Sequence, residues 1–384
     1  MREYSCDVLI VGASSAGLGA ANALSVSGKK VICVDCKSAV GAEIHCAEGV
    51  GKYFVDLMPI KIPREYLEWP VDGIAFYYKS YGLVQKSKLW KGYSVNRKKL
   101  EAYFFSLCAK KVEFIFDSRL INLKCEPNNV VKKLIFEDSV GQFSVLPKRV
   151  IAADGVDSKV AELMQLPFGE KVFGEIINFE IISKNLKNVE LEQIYLGDFA
   201  PNGYGFIFPK SENIANVGVG GINPKKDMNK LFAKFLELSS VKSQLSGMTI
   251  LKDKSKRSAF GERLLKWNYG NVLFCGDAAN HNYKPFVEGF LPSFISGWVA
   301  GKYSLSKNIS AKIYAQKIFE ALPGFKENKI LQKSMQKVFT LPNTEKASIL
   351  FLLSSGLIDP LQVKSLSLRK VNVLLEKKHL KEFD

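Results

Sequence analysis

A candidate phosphate-binding turn opens at Gly12. Gly12-Ala13-Ser14-Ser15-Ala16-Gly17 forms a glycine turn, and Asp35 stands 23 positions after Gly12. A turn of the GxGxxG type lets backbone amides approach a pyrophosphate, whose charge then sits at a helix N-terminus. An acid about 20 residues further on accepts hydrogen bonds from a ribose. The spacing to Asp35 fits that pattern, while Ser14 stands where the middle glycine is usual. The flanking segments predict the scaffold that holds the turn. Residues 6–11 (CDVLIV) are rich in β-branched side chains and predict a buried strand, 16–27 a helix of small residues, and 30–35 (KVICVD) a second strand. Strand, turn, helix, strand and acid in this order predict a nucleotide-binding βαβ unit. An ordinary βαβ unit with a tight turn is the alternative.

Composition narrows the class. The chain has 384 residues, 47% hydrophobic and 24% charged, as expected of a soluble globular protein of two or three domains. Its seven cysteines (Cys6, Cys33, Cys36, Cys46, Cys108, Cys125 and Cys275) are scattered through apolar stretches, which favours a reducing compartment. Cys33 and Cys36 form a CxxC, but no second ligand pair follows, so no metal is expected. The net charge is +16, from 54 Lys and Arg against 38 Asp and Glu. Such a surface suits nucleic acid, an anionic membrane or phosphorylated small molecules. No helix-turn-helix, finger or ribonucleoprotein motif is present, so nucleic acid is not expected as a partner. The N-terminus enters a strand at once, without a signal peptide, and no apolar run approaches the ~20 residues that span a bilayer. The expectation is a cytoplasmic protein, able to sit peripherally on the inner face of the membrane.

Further elements bring more candidate groups. Residues 36–50 read as a loop returning over the nucleotide site, and 53–95, dense in aromatics, as strands and loops of another layer. A helix follows, with Leu100, Tyr103, Phe104 and Leu107 on one face, then strands at 112–116, 131–137 and 142–145. Residues 149–158 predict a strand ending in Asp154-Gly155 and a helix start. Residues 171–222 alternate as an antiparallel sheet, with 217–221 a strand and no second glycine motif. Residues 228–245 predict a helix, and 271–275 a strand ending in Gly276-Asp277. A helix is expected over 289–303, and more helices, about twice as rich in basic as in acidic residues, over 304–384.

Three strand ends thus share one chemistry: Gly12–Gly17, Asp154-Gly155 and Gly276-Asp277 each offer amides or a carboxylate at the carboxyl edge of a parallel sheet. Their order resembles the flavoprotein superfamily that includes p-hydroxybenzoate hydroxylase. The resemblance implies that the first motif holds the ADP half of FAD and that Gly276-Asp277 contacts the ribityl and pyrophosphate. A narrower resemblance, to the archaeal-type geranylgeranyl reductases, covers most of residues 4–300. It is carried by Cys46-Ala47-Glu48-Gly49, by Tyr93 to Arg97, and above all by Pro201 to Lys210. The family pattern there is P-x-x-Y-x-W-x-F-P. This chain supplies Pro201, Tyr204, Phe208 and Pro209, with Phe206 where tryptophan is usual.

The resemblance implies an α/β protein: a Rossmann-type FAD-binding domain (1–60, 94–165 and 255–303), an interleaved antiparallel-sheet substrate domain (61–93 and 166–254) and a helical C-terminal region (304–384). It implies a reductase that saturates geranylgeranyl double bonds of membrane-lipid or prenyl-phosphate substrates by flavin hydride transfer. NADPH, ferredoxin or reduced flavin would supply the electrons. Cys46 and Glu48 would lie close to the flavin as catalytic residues. Gly12, Ser14, Ser15, Ala16, Gly17, Asp35, Cys46, Ala47, Arg97, Asp154, Gly155, Gly276, Asp277 and Gly289 would bind the cofactor, with Arg97 at its phosphates. Tyr204, Phe206 and Phe208 alternate on a strand, so their rings share a face; with Pro209 they would line a prenyl pocket, the alternative being plain core between sheet and helix. His45 and His281 are weak candidates for a proton donor. A surface salt bridge is the other reading of Arg97.

Two departures mark a divergent member. One is Ser14. The other is the run from Asn280 to Phe290, where Pro285 and only Gly289 of the usual glycines remain. Side chains at Val287 and Glu288 would crowd a flavin ring, and a carboxylate there would oppose an anionic reduced flavin. A flavin monooxygenase of the same superfamily, or a lipid-binding paralogue with a degenerate FAD site, are the rival functions.

Overall fold

In the computed structural model the described residues are 1–384 without 80, 168–172, 201, 223–226, 254, 260–263, 285, 339–340, 342, 358–380 and 383–384. Pro201, Pro285, His379 and the helical expectation for 358–380 therefore lie outside the described residues. In chain order, β1 (Arg2–Val11), α1 (Ser15–Leu24) and β2 (Val31–Val34) come first. Next are β3 (Gly49–Gly51), α2 (Lys52–Leu57), β4 (Trp69–Val71), β5 (Gly73–Tyr78), β6 (Tyr81–Gln85) and β7 (Gly92–Ser94). Helix α3 (Arg97–Cys108) leads to β8 (Glu113–Ile115), β9 (Arg119–Cys125), β10 (Val131–Asp138), β11 (Gly141–Ala152) and α4 (Lys159–Leu163). Then follow β12 (Phe173–Ile182), β13 (Leu191–Leu196), β14 (Gly203–Pro209), β15 (Ile214–Ile222), α5 (Met228–Leu236), α6 (Ser239–Leu245), β16 (Thr249–Asp253) and β17 (Lys256–Ala259). The chain closes with β18 (Asn268–Tyr269), β19 (Val272–Phe274), α7 (Phe290–Ser304), α8 (Ala311–Ala321), α9 (Phe325–Val338), α10 (Asn343–Ser354) and β20 (Lys381–Glu382).

The first sheet runs β18-β19-β11-β1-β2-β8, and the steps from β19 to β8 are parallel. Parallel strands need crossovers, and α1 supplies the one between β1 and β2. Helix α1 is buried along its whole length because it packs between the sheet and α7. Small residues make that packing possible: a Cβ at Gly19 would run into Phe294 O, and one at Gly297 into Ala16 O. The two helix backbones touch, which fixes the N-terminus of α1 against the sheet edge. The second sheet runs β16-β12-β15-β14-β13-β5-β6-β20, with β17 also on β12; it is antiparallel except for β13 beside β5. A small third sheet, β3-β7-β4, ties the 46–51 segment to residues 69–94.

Several sequence expectations are corrected. Helix α1 stops at Leu24, and Ser25 to Gly28 make the turn into β2, Gly28 at φ +67°. Residues 228–245 form two helices, since Leu238 is extended (ψ 129°) and starts a new one. Residues 53–95 include the helix α2, which covers the cavity edge. Strand β9 (RLINLKC) escapes the pattern because Arg119, Asn122 and Lys124 interrupt its apolar residues, and β11 is one strand because β1 pairs with it from Phe143 to Ala152. On α3, Leu100 and Phe104 are buried but Leu107 is exposed; Cys108 and Glu101 take its place inside. Residues 256–259 belong to the second sheet, not to the nucleotide unit.

Candidate active site

Gly12 sits at φ +101°, and any side chain there would strike the Ala153 carbonyl. The turn therefore lies against the Asp154-Gly155 strand end. Asp35 caps the arrangement from β2: its Oδ2 accepts from Ala13 N–H (2.5 Å) and its Oδ1 from Lys37 N–H (2.8 Å). Lys37 Nζ reaches back to Ser14 Oγ (2.9 Å), so the serine in place of glycine carries an ammonium beside the turn. Gly276, at φ +62°, abuts Ala16, whose Cβ would be 2.7 Å from an added one. Asp154 Oδ2 accepts from Val160 N–H (2.9 Å), while its buried Oδ1 has no partner among the described residues. Burial pushes the Asp154 carboxyl up from its ordinary range. Gly155 faces open space. An orphaned acceptor, an open glycine and the free amides of a helix start fit a dinucleotide with hydroxyls to offer.

One cavity of about 580 Å³ runs from this end to the second sheet. Ser14, Ser15, Ala16, Gly155, Asp277 and Gly289 line it at one end. Cys46, Ala47, Glu48 and Arg97 line its middle, and Tyr204, Phe206 and Phe208 its far wall. Gly12, Gly17, Asp35, Asp154, Gly276 and Pro209 are not among the residues that line it. The sequence-predicted groups that do line it, spread from Ser14 to Gly289, are thus brought round one space. His45 is at the rim. His281 is buried against Trp267 and Phe325, is pushed down to about 3 by burial and nearby lysines, and is a packing residue.

Glu48 is not free to shuttle a proton. It sits at φ +64°, 3% exposed, with Oε1 accepting from Arg97 N–H (2.9 Å) and Oε2 from Lys210 Nζ and Asn216 Nδ2. Its work is to tie the 46–48 loop to α3 and to the Lys210 end of β14. Arg97 is no surface ion pair either. Its guanidinium is paired with the buried Glu101 (2.8 Å) and lies 4.7 Å from the Phe290 ring centroid. Burial opposes its charge, but Glu101 and Cys46 together raise its pKa above the ordinary value.

The aromatic wall follows from strand geometry. Phe206 and Phe208 rings are 4.9 Å apart, and Tyr204 and Phe206 6.2 Å apart, on one face of β14. Tyr204 Oη donates to Phe286 O (3.1 Å), which carries the 280–290 loop onto the wall. Trp90 and Phe286 extend it. The same face also packs against α9 and α10, so it is both cavity wall and core.

The loop itself differs from the expectation. Tyr283 and Glu288 pair through both backbone bonds (2.8 and 2.9 Å), and Val287 is held at φ +57°. Glu288 Oε1 accepts from Gly51 N–H (2.7 Å), and burial pushes its carboxyl up to about 7, so it is not the fixed negative charge expected from sequence. Two cavity groups were not legible. Glu192, on β13, is pushed up to about 8 by burial and by Glu288. Lys284 is pushed down to about 7 by burial, against Asp277. Both needed the strand pairing and the loop path, which no local pattern encodes.

Residues 176–252, which hold β12 to β15, match the family model for the geranylgeranyl reductase catalytic domain. The digeranylgeranylglycerophospholipid reductase of Methanococcus aeolicus is 28% identical over 352 residues, covering 87% of this chain and 88% of that one. The reductase of the same name from Methanocaldococcus jannaschii is 28% identical over 315 residues, 79% of this chain and 78% of its own. The chain is similar to the geranylgeranyl reductases over most of its length. A crystal structure of a geranylgeranyl bacteriochlorophyll reductase-like protein from Thermoplasma acidophilum superposes with a TM-score of 0.78. It is 21% identical and covers 98% of this chain and 97% of its own. A halogenase solved with FAD shares the fold at a TM-score of 0.67 and 12% identity, over 94% of this chain and 85% of its own. The similarity and the fold are those expected from the sequence.

Proposed function

We propose that this protein is an FAD-dependent reductase that saturates geranylgeranyl double bonds of a membrane lipid or its prenyl-phosphate precursor. The observation that carries the reading is the single cavity joining the Gly12–Gly17 turn to the Tyr204-Phe206-Phe208 wall. A nucleotide end alone would serve any flavoprotein; an aromatic far end suits a long apolar chain. The relatives' name, digeranylgeranylglycerophospholipid reductase, supports the same substrate class.

Ser14, Ser15 and Ala16 at the start of α1 would meet the pyrophosphate, Asp35 the ribose, and Asp154 and Asp277 the ribityl hydroxyls. When bound, the flavin supplies hydride to one carbon of the alkene. Tyr204, Phe206 and Phe208 would hold the chain in place against the flavin. Cys46, anchored by Glu48 N–H (3.3 Å) and lining the middle of the cavity, would touch the reacting region and orient the alkene. Electrons would come from NADPH, ferredoxin or free reduced flavin. The basic surface suits an anionic bilayer from which the lipid is drawn. Among the described residues no helix is long and apolar enough to cross a membrane. Anaerobic incubation of the reduced protein with a digeranylgeranyl phospholipid tests the reading. The lipid is expected to gain two hydrogens per bond by mass spectrometry; flavin reoxidation only on admitting oxygen would count against it.

A further inference from the structure

Two carboxyl side chains line the cavity and have no part in the reading so far: Glu192 from β13 and Glu288 from the 280–290 loop. They converge on β3. A Cβ at Gly49 would collide with Glu192 Oε1, and one at Gly51 would come within 3.3 Å of Glu288 Oε1. Gly49 and Gly51 are two apart on a strand and face the same side, so the missing side chains are the space the two carboxyls occupy. Glu288 is fixed by the Gly51 amide, whereas the Glu192 carboxyl has no hydrogen-bond partner among the described residues. Val287 is β-branched yet held in the left-handed region, a conformation that persists only where the surroundings enforce it. The Tyr283–Glu288 pairing enforces it, and the outcome is that Glu288 points at β3.

Among the described residues no cation is paired with either acid. Tyr204 stands beside Glu192 and Tyr283 beside Glu288. The nearby basic groups are engaged elsewhere: Lys284 with Asn280 and Asn282, Lys91 with Asp72 (3.9 Å), His45 with Asp253, Lys210 with Glu48, Arg97 with Glu101. Two acids buried together, close enough to repel and paired with no cation among the described residues, favour holding a proton between them.

We propose that Glu192 and Glu288 are the acid of the reduction, delivering the proton that accompanies hydride transfer. The role rests on the function proposed above and deepens it. The alkene takes hydride at one carbon from the bound reduced flavin and a proton at the neighbouring carbon from a carboxyl O–H. The C=C π bond breaks, two C–H bonds form, two electrons pass from flavin to substrate, and the carboxylate is reprotonated from solvent.

The test uses the full chain with E192Q, E288Q and the double variant. Infrared difference spectra without substrate, taken across neutral pH, are expected to show a protonated-carboxyl band in the wild type that the double variant lacks. In single turnover with pre-reduced flavin, the double variant should reduce the prenyl alkene about 100-fold or more slowly, with flavin content unchanged. Unchanged alkene reduction in the double variant would overturn the role alone, as would a wild type with both carboxyls ionised at neutral pH. A wild type that reduces no prenyl alkene would overturn the parent reading instead.

Discussion

Lys210 reaches two carboxylates at once, Oε2 of Glu48 and Oε2 of Glu180 (2.8 Å). Burial works against its charge, but the two acids hold its pKa above the ordinary value. Replacing it by methionine leaves Glu48 buried without a cation, a defect that costs about 3–5 kcal/mol. K210M is therefore expected to unfold at markedly lower denaturant than the wild type, measured by urea titration. Glu192 behaves oppositely. Its carboxyl binds a proton more tightly folded than unfolded, so its contribution is fully present below the ordinary carboxylate pKa and is lost as pH rises through about 8. E192Q removes that loss. Melting curves of E192Q and wild type should nearly coincide near pH ~4 and separate by roughly 2–4 kcal/mol in favour of E192Q above pH ~8. A gap that does not change with pH would refute the assignment.

At the scale of elements, glycines decide where backbones can meet. Gly12 lets the first turn lie against the Asp154 strand, and G12A is expected to weaken FAD uptake at least tenfold by equilibrium titration, because its Cβ collides with backbone and not with a movable side chain. On β15, Gly218 makes room for the Phe206 ring: an added Cβ would be 2.6 Å from Phe206 Cζ. G218A should lower stability by about 1–3 kcal/mol and raise the KM for prenyl lipid, leaving FAD affinity intact. These elements were legible to different depths. The βαβ start, the strand ends at Asp154 and Gly276, and the β14 aromatics are local patterns and could be read directly. Helix α2, the lysine-bearing β9 and the break at Leu238 could not, because their patterns are short or polar and tertiary contacts decide them. Glu48 was legible as a site residue but not as a loop anchor, since its partner Lys210 lies 162 residues away. Glu192 was silent for the same reason: only its place opposite Gly49 gives it meaning.

At the scale of the whole molecule, two sheets share one cavity, which the small β3-β7-β4 sheet and the 280–290 loop also line. The net charge of +16 acts at this scale. Binding to anionic vesicles is expected at low salt and should weaken strongly as ionic strength passes physiological values; sedimentation with vesicles measures it. The two departures from the family pattern, Ser14 and the Val287-Glu288 loop, do not close the cavity, and one of them supplies an acid to it. The most direct measurement is the absorption spectrum of the purified protein with FAD, followed by anaerobic photoreduction and addition of a digeranylgeranyl phospholipid. The expected result is a yellow protein whose bleached flavin regains colour on adding the lipid. A colourless protein that takes up no FAD, or a flavin that recovers only with oxygen, would contradict it.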